Sequence, residues 1–259
     1  MPGDWRRSLP LAELIELRRE AQTCVVTLRR EHKLNAISGE LERELCAALE
    51  APEVMEAACV VFTGGPRVFS AGADLNEMRG LDPGSIVSYY QGTGDFVERV
   101  ADLPQPTFCA ISGYCLGGGL ELALATDFRI ADERAVFGLP EVGLGILPSS
   151  GGTHRLVQML GPARAKELIL LRDRFSAQEA YRIGLITEMV GEGEALPRAM
   201  AHAEFVSGHP QLAVRVTKRV VDSMADGARA AGLELERLAY GLLAQTPEAD
   251  QATARRLSR

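Results

Sequence analysis

The spacing of apolar positions changes character along the first part of the chain. Leu14 to Arg18 and Cys24 to Leu28 read as strands, whereas Leu41, Leu45, Ala48 and Leu49 within Glu40 to Ala51 recur at helical spacing. The unit is strand, strand, helix. The order then repeats: Ala58 to Thr63 is a β-branched strand stopped by Gly64 and Gly65, and Ile86 to Ala101 reads as a helix. Phe108 to Ile111 follows as a strand that passes through a glycine-rich turn into a helix at Gly118 to Thr126. Alternation of this kind predicts an α/β core.

Beyond Asp127 the pattern predicts a strand from Phe128 to Ala131, a long loop dense in Gly and Pro, and a helix with Pro162 in its first turn. Ser176-Ala177-Gln178-Glu179 has the form of a capping box, so a further helix starts there and stops at Gly184. From about Ala199 onward only helices are expected. Leu235, Leu238, Ala239, Leu242 and Leu243 form a broad apolar stripe fit to pack on this chain's own core or on a neighbouring subunit. The division expected is a core over residues 1–198 and a helical region over 199–259.

Composition narrows the classes. With 259 residues, 46% of them hydrophobic, the chain can bury one sizeable core. Its longest apolar runs, such as Cys59 to Phe62, fall far short of the roughly 20 residues of a membrane helix. The N-terminal Arg6 and Arg7 precede no apolar run and acids follow at Glu13 and Glu16, so a cytoplasmic protein is expected. Five cysteines without a CxxC pair suit buried thiols rather than disulfides. A net charge of -7 argues against nucleic acid or an anionic membrane as partner, because both are bound through clustered Lys and Arg.

Several chemistries leave no signature. No Walker-type Gly-Lys-Ser/Thr turn, no GxGxxG, no HExxH and no GxSxG occurs, and the four histidines show no metal-ligand spacing. Carboxylates and backbone dipoles remain. In Phe69-Ser70-Ala71-Gly72-Ala73-Asp74-Leu75, small residues allow the backbone to approach a ligand, although the same stretch also reads as a plain turn with Asp74 as a helix cap. In Ile111 to Glu121, a strand and a glycine turn open a helix whose N-terminal N–H groups face a developing anion, with Glu121 three residues after Gly118 on the same face. Glu121 reads equally as an N3 capping acid. Glu141, in Phe137 to Gly145, stands among apolar residues and glycines that favour a protonated acid; taken singly, as a loop residue, it reads first as a solvated glutamate. His154 and Arg155 are assigned to structural hydrogen bonds.

Taken together, Lys33-Leu34-Asn35-Ala36, AGADL at Ala71 to Leu75, GGGLEL at Gly117 to Leu122, PEVGLGILP at Pro140 to Pro148 and GGTHRL at Gly151 to Leu156 resemble the crotonase (enoyl-CoA hydratase/isomerase) family. The resemblance implies a crotonase-type spiral of β-β-α turns and a C-terminal helical region that assembles a homotrimer or homohexamer. It implies an acyl-CoA thioester as substrate and no separate cofactor, coenzyme A being carried on the substrate. It further implies that the N–H groups of Ala73 and Gly118 form an oxyanion hole, that Glu121 and Glu141 are the catalytic acid/base pair, and that Lys33, Ala36, Ala71, Asp74 and Leu75 contact the substrate. No metal is implied. Because both glutamates are present, the expected reaction is hydration of an enoyl-CoA; a double-bond isomerase, a lyase or an acyl-CoA hydrolase of the same fold is the alternative. An RNA-binding branch of the family is remote, since the matching helix from Glu40 to Glu50 is net acidic. Two departures stand out. Asn76 replaces a frequent Lys, leaving a CoA phosphate or ribose contact to Arg30, Lys33, Arg67 or Arg79, and the chain ends at Arg259 without the family's aromatic, Lys-rich terminal segment. By analogy the span from Met78 to Phe96, with Tyr89 and Tyr90, shapes the acyl pocket.

Overall fold

Strand β1 (Ile15–Glu20) and strand β2 (Thr23–Leu28) form an antiparallel hairpin, and β2 then pairs in parallel with β3 (Cys59–Thr63). In the computed structural model, which describes residues 13–78 and 96–225 and positions 241, 244–245, 250, 253–254 and 257–258, the sheet continues in parallel through β4 (Thr107–Ile111), β6 (Phe128–Asp132) and β9 (Glu188–Val190). A second, three-stranded sheet contains β5 (Tyr114–Leu116), β7 (Val136–Gly138) and β8 (Phe175–Ser176). The apolar stripe from Leu235 to Leu243, and Arg79, Tyr89 and Tyr90, lie outside the described residues. The helix expected from Ile86 is described from Phe96 onward.

The spiral is visible in the pairing. After β2, β3, β4 and β6 the chain makes one short step in the second layer and then enters a helix or a 3-10 turn. Ile37 takes that step before helix α1 (Gly39–Leu49), which is followed by the short α2 (Pro52–Met55). Residues 70–73 take it before α3 (Leu75–Met78) and α4 (Phe96–Ala101). Strand β5 takes it before α5 (Gly118–Ala125), and β7 before the 3-10 turn Pro140–Leu144. Ladder contacts Ile37 to Ala73, Ser70 to Cys115 and β5 to β7 stack these steps on one another.

Both faces of the main sheet are buried, as a parallel sheet requires. Along β3, Val60 and Phe62 face one core with Leu41, Leu45, Leu120 and Leu122, while Cys59 and Val61 face a second core. That second core is closed by α8 (Ala195–Ser207) through Ala195, Ala199 and Ala203, a stripe at i, i+4, i+8 whose small side chains let the helix lie close to the strands. Cys24, Cys59, Cys109 and Cys115 are buried and Cys46 is half-buried, all as free thiols. Burial pushes the Cys24 and Cys59 thiols up to about 11, which keeps them neutral.

Two readings from periodicity need amendment. Strands β5, β7, β8 and β9 have two or three residues each, too few to show a period. The loop expected before Pro162 is largely helical: α6 (Gly152–Leu170) starts ten residues earlier than Pro162, with Gly151 at its N-cap and no side-chain cap to announce it. Gly161, at φ 77 and ψ 162, breaks this element, and Pro162 opens the second half as expected. At α7 (Ala177–Arg182) the Ser176 hydroxyl accepts from the Glu179 N–H at 3.2 Å, so the cap read from sequence is formed.

A single buried side chain joins the loops that will carry the site. Asn35, at φ 51, donates from Nδ2 toward the carbonyls of Gly64 (2.9 Å), Val68 (3.0 Å) and Phe69 (3.1 Å), and its Oδ1 accepts from the Arg30 N–H at 2.8 Å. Its own carbonyl accepts from the Ser70 hydroxyl at 2.8 Å. Removing the amide orphans buried carbonyls and places an ordinary residue in the left-handed region. Asn35→Ala is therefore expected to lower unfolding free energy by about 3 kcal/mol, and Asn35→Asp, which has no ionised donor for those carbonyls, by a comparable amount. Urea unfolding at matched protein concentration checks this; a loss within experimental error would show that the carbonyls find other donors.

Candidate active site

Residues 70–74 are clamped between two neighbours. The Ile37 N–H donates to the Gly72 carbonyl and the Asp74 N–H donates to the Ile37 carbonyl, both at 2.8 Å. On the other side the Ser70 N–H donates to the Tyr114 carbonyl at 2.9 Å, and the Leu116 N–H to the Ser70 carbonyl at 3.0 Å. Between these anchored groups the Ala73 N–H points away from Ile37. Gly72, at φ 95, makes the turn possible: a Cβ there would lie 2.8 Å from the Leu116 carbonyl oxygen and 3.4 Å from the Gly118 nitrogen.

The same close approach brings the first N–H of α5 beside Ala73. A Cβ on Gly118 would lie 3.8 Å from the Ala73 nitrogen, so the two residues lie side by side on the cavity wall. Neither donates to an acceptor among the described residues. The positive end of the α5 dipole reinforces Gly118. At the far end of this helix the buried Arg129 guanidinium donates to the carbonyls of Thr126 (2.6 Å), Leu185 (2.7 Å) and Ala123 (3.4 Å).

Two carboxylates face the same space. Glu121, 3% exposed, lies on the first turn of α5, and its Oε1 accepts from the N–H groups of Ser150 (2.7 Å) and Gly152 (3.0 Å). Glu141, 9% exposed, comes from the 3-10 turn opened by Pro140, and its Oε1 would be 2.9 Å from a Cβ on Gly117. A cavity of ≈ 120 Å³ is lined by both glutamates, by Ala71, Ala73, Leu75 and Gly118, and by an apolar wall that includes Phe96, Leu144 and Ile146. That is room for about four waters at liquid density.

Lys33, Ala36 and Asp74 do not line this cavity. Asp74 is engaged by Arg30 at 2.8 Å, which also donates to the Ala36 carbonyl at 3.0 Å. Burial opposes ionisation of Asp74, but the Arg30 guanidinium and the Asn76 amide outweigh it and hold the carboxyl below its usual range. Lys33 is exposed at the end of the 3-10 turn Glu31–Lys33, and the exposed Arg67 pairs with Glu31 at 2.8 Å. Among the described residues no group of three or more His, Cys, Asp and Glu side chains is arranged to hold a metal ion, and no helix is long and apolar enough to cross a membrane.

Sequence reasoning missed the residues that hold Glu121. Ser150 and Gly152 act through their backbones, and the only local sign was a glycine pair ahead of Thr153. It also missed Glu42, a buried acid of α1 on the cavity wall, whose sign was a charge beside the apolar stripe of Leu41 and Leu45.

Known proteins share this arrangement of elements. The enoyl-CoA hydratase/isomerase family model matches residues 18–254. The putative enoyl-CoA hydratase/isomerase YngF of Bacillus subtilis (strain 168) is 41% identical over 221 residues, covering 83% of this chain and 84% of that one. The 2,3-dehydroadipyl-CoA hydratase of Escherichia coli (strain K12) is 35% identical over 239 residues, 92% of each chain. A crystal structure of enoyl-CoA hydratase from Bacillus anthracis superposes with a TM-score of 0.78 at 35% identity, covering 95% of this chain and 97% of that one. With the stacked β-β-α steps and the match along nearly its whole length, the chain belongs to the enoyl-CoA hydratase/isomerase (crotonase) family.

Proposed function

We propose that this chain is an enoyl-CoA hydratase, adding water across the 2,3 double bond of a trans-2-enoyl-CoA to give a 3-hydroxyacyl-CoA. The observation that carries the reading is a pair of buried glutamates, Glu121 and Glu141, in one cavity with Ala73 and Gly118, whose neighbouring backbone amides are the oxyanion donors in this reading. The thioester oxygen sits between the two amides, where fixed donors stabilise the enolate that forms on addition. Glu121 takes a proton from water as the water oxygen bonds C3. The C2=C3 electron pair moves toward the thioester oxygen, and Glu141, as the acid, delivers a proton to C2 as the thioester re-forms. Exchange of one proton restores both glutamates. The two N–H bonds on Glu121 Oε1 set the plane of that carboxylate, so the base is oriented before substrate enters. Ala71 and Leu75 line the acyl and pantetheine side, while Lys33, Ala36 and Asp74 contact the coenzyme at the mouth. No further cofactor takes part. By family likeness the protein assembles as a homotrimer or homohexamer; Phe205 of α8, and Leu212 and Val216 of α9 (Gln211–Ala225), are exposed apolar side chains suited to a subunit contact.

Glu121→Gln and Glu141→Gln are each expected to lower kcat for crotonyl-CoA hydration by about a hundredfold or more, with little change in acyl-CoA affinity. The double variant should lose less than the product of the single losses. Loss of hydration with retained double-bond isomerisation in Glu121→Gln would instead identify an isomerase that works through Glu141. Parent-like hydration in both single variants would refute the acid/base assignment.

Gly118→Pro removes the N–H at a helix start that tolerates Pro, so the protein should remain folded and lose turnover. A folded Gly118→Pro variant with near-parent rate would take Gly118 out of the oxyanion hole. Light scattering at working enzyme concentration should give a trimer or hexamer mass; a monomer would dismiss the assembly.

A further inference from the structure

The turn that holds Glu121 is itself held from behind. Ser150 and Gly152 turn their N–H groups to Glu121, the carbonyls of Ser150 and Gly151 accept from Arg155, and Gly151 between them has φ 89. A turn with two glycines loses more backbone entropy on ordering than most, so its geometry has to be imposed by neighbours. Arg155 imposes it on the carbonyl side: Nη1 donates to the Ser150 carbonyl at 3.0 Å, and its backbone N–H donates to the Gly151 carbonyl at 2.9 Å. The peptide that carries the Gly151 carbonyl also carries the Gly152 N–H, which donates to Glu121 at 3.0 Å. The guanidinium lies close against Gly151, since a Cβ there would meet Nη1 at 2.2 Å.

Arg155 is fixed in turn by Glu98. Its Nη2 donates to Glu98 Oε1 at 2.7 Å, and the two side chains are 10% and 16% exposed. Glu98 belongs to α4, which also sends Phe96 into the cavity wall. Neither Arg155 nor Glu98 lines the cavity. A pair this sheltered keeps a single geometry better than a surface ion pair, because solvent screens it less and its hydrogen bonds are charge-assisted.

We propose that Arg155, braced by Glu98, is a positioning residue that aligns the Ser150 and Gly152 amides on Glu121 and so sets the orientation of the carboxylate. The role rests on the reading of Glu121 as the base that activates water. Arg155 contacts no reacting atom. Its removal misaligns the base without emptying the oxyanion hole, so turnover falls while substrate affinity holds.

The test compares Arg155→Lys and Glu98→Gln in the parent and in the Glu121→Gln background, with crotonyl-CoA hydration and amide hydrogen exchange at Ser150 and Gly152 as readouts. In the parent, Arg155→Lys lowers kcat between about tenfold and a hundredfold with KM within about threefold, a loss typical of a misplaced reacting group. In the Glu121→Gln background the same change adds less than about threefold, because both act through one carboxylate. Exchange at the two amides speeds up. A folded Arg155→Lys variant with kcat within twofold of the parent overturns the proposal, as does an equal fold-loss in both backgrounds, which places the effect elsewhere. If Arg155→Lys does not fold, Glu98→Gln, nearly isosteric and uncharged, carries the same comparison with the same criteria. If Glu121→Gln leaves hydration intact, the assignment of the base fails, and exchange alone decides: unchanged protection of Ser150 and Gly152 overturns the positioning role and faster exchange upholds it.

Discussion

Two stretches of backbone can lie against each other only where side chains are missing, and residues 72–73 and 117–118 meet on that condition. A Cβ at Gly72 would strike the Leu116 carbonyl oxygen, and one at Gly117 would strike Glu141. With hydrogen in those places, Ala73 and Gly118 come side by side on the cavity wall, and the groups that flank them pair with Ile37 and β5. The site depends on this contact more than on any side chain. Asn35 serves it from below by gathering the carbonyls of Gly64, Val68 and Phe69, so that the segment entering Ser70 has one course.

Burying two carboxylates next to that point opposes folding, because an ionised group loses its hydration there. Glu121 is compensated by backbone N–H donors from a helix start, the strongest uncharged arrangement for a carboxylate oxygen. Glu141 sits in a different setting, on a short 3-10 turn against Gly117 and apolar residues. Two acids of one type in unlike environments are the condition under which one can serve as base and the other as acid.

Much of this was legible before any coordinates. The strands from Cys24, Ala58, Phe108 and Phe128 have enough β-branched and apolar residues to show themselves, and the glycine turn into Glu121 announces a helix start. The strands in the second layer, β5, β7 and β8, are held by their neighbours rather than by their own pattern, so no window of residues reveals them. The first half of α6 was taken for loop because its start is capped by glycine backbone and its middle is broken at Gly161. For the site, the segments of Glu121 and Glu141 and the helix start at Gly118 stand out in the sequence, whereas the amides of Ser150 and Gly152 that hold Glu121 depend on a fold-back that only three dimensions display. Asp74, which in the sequence reads as a helix cap or as a substrate contact, accepts from the Asn76 N–H at 3.1 Å as a cap would and pairs with Arg30.

Helix α5 is anchored at its carbonyl end by the buried Arg129, a guanidinium that stays charged under all physiological conditions. Its eight residues span about 12 Å. A fixed cation at one pole offsets the partial negative charge that would otherwise accumulate there, while the opposite pole, at Gly118 and Glu121, borders the cavity. The helix then resembles a small polarised rod with one terminal earthed in the protein interior. Sequence drift that exchanged this arginine for a neutral residue would retune the field at the start of α5 from the far end of the helix, without touching any residue that lines the cavity.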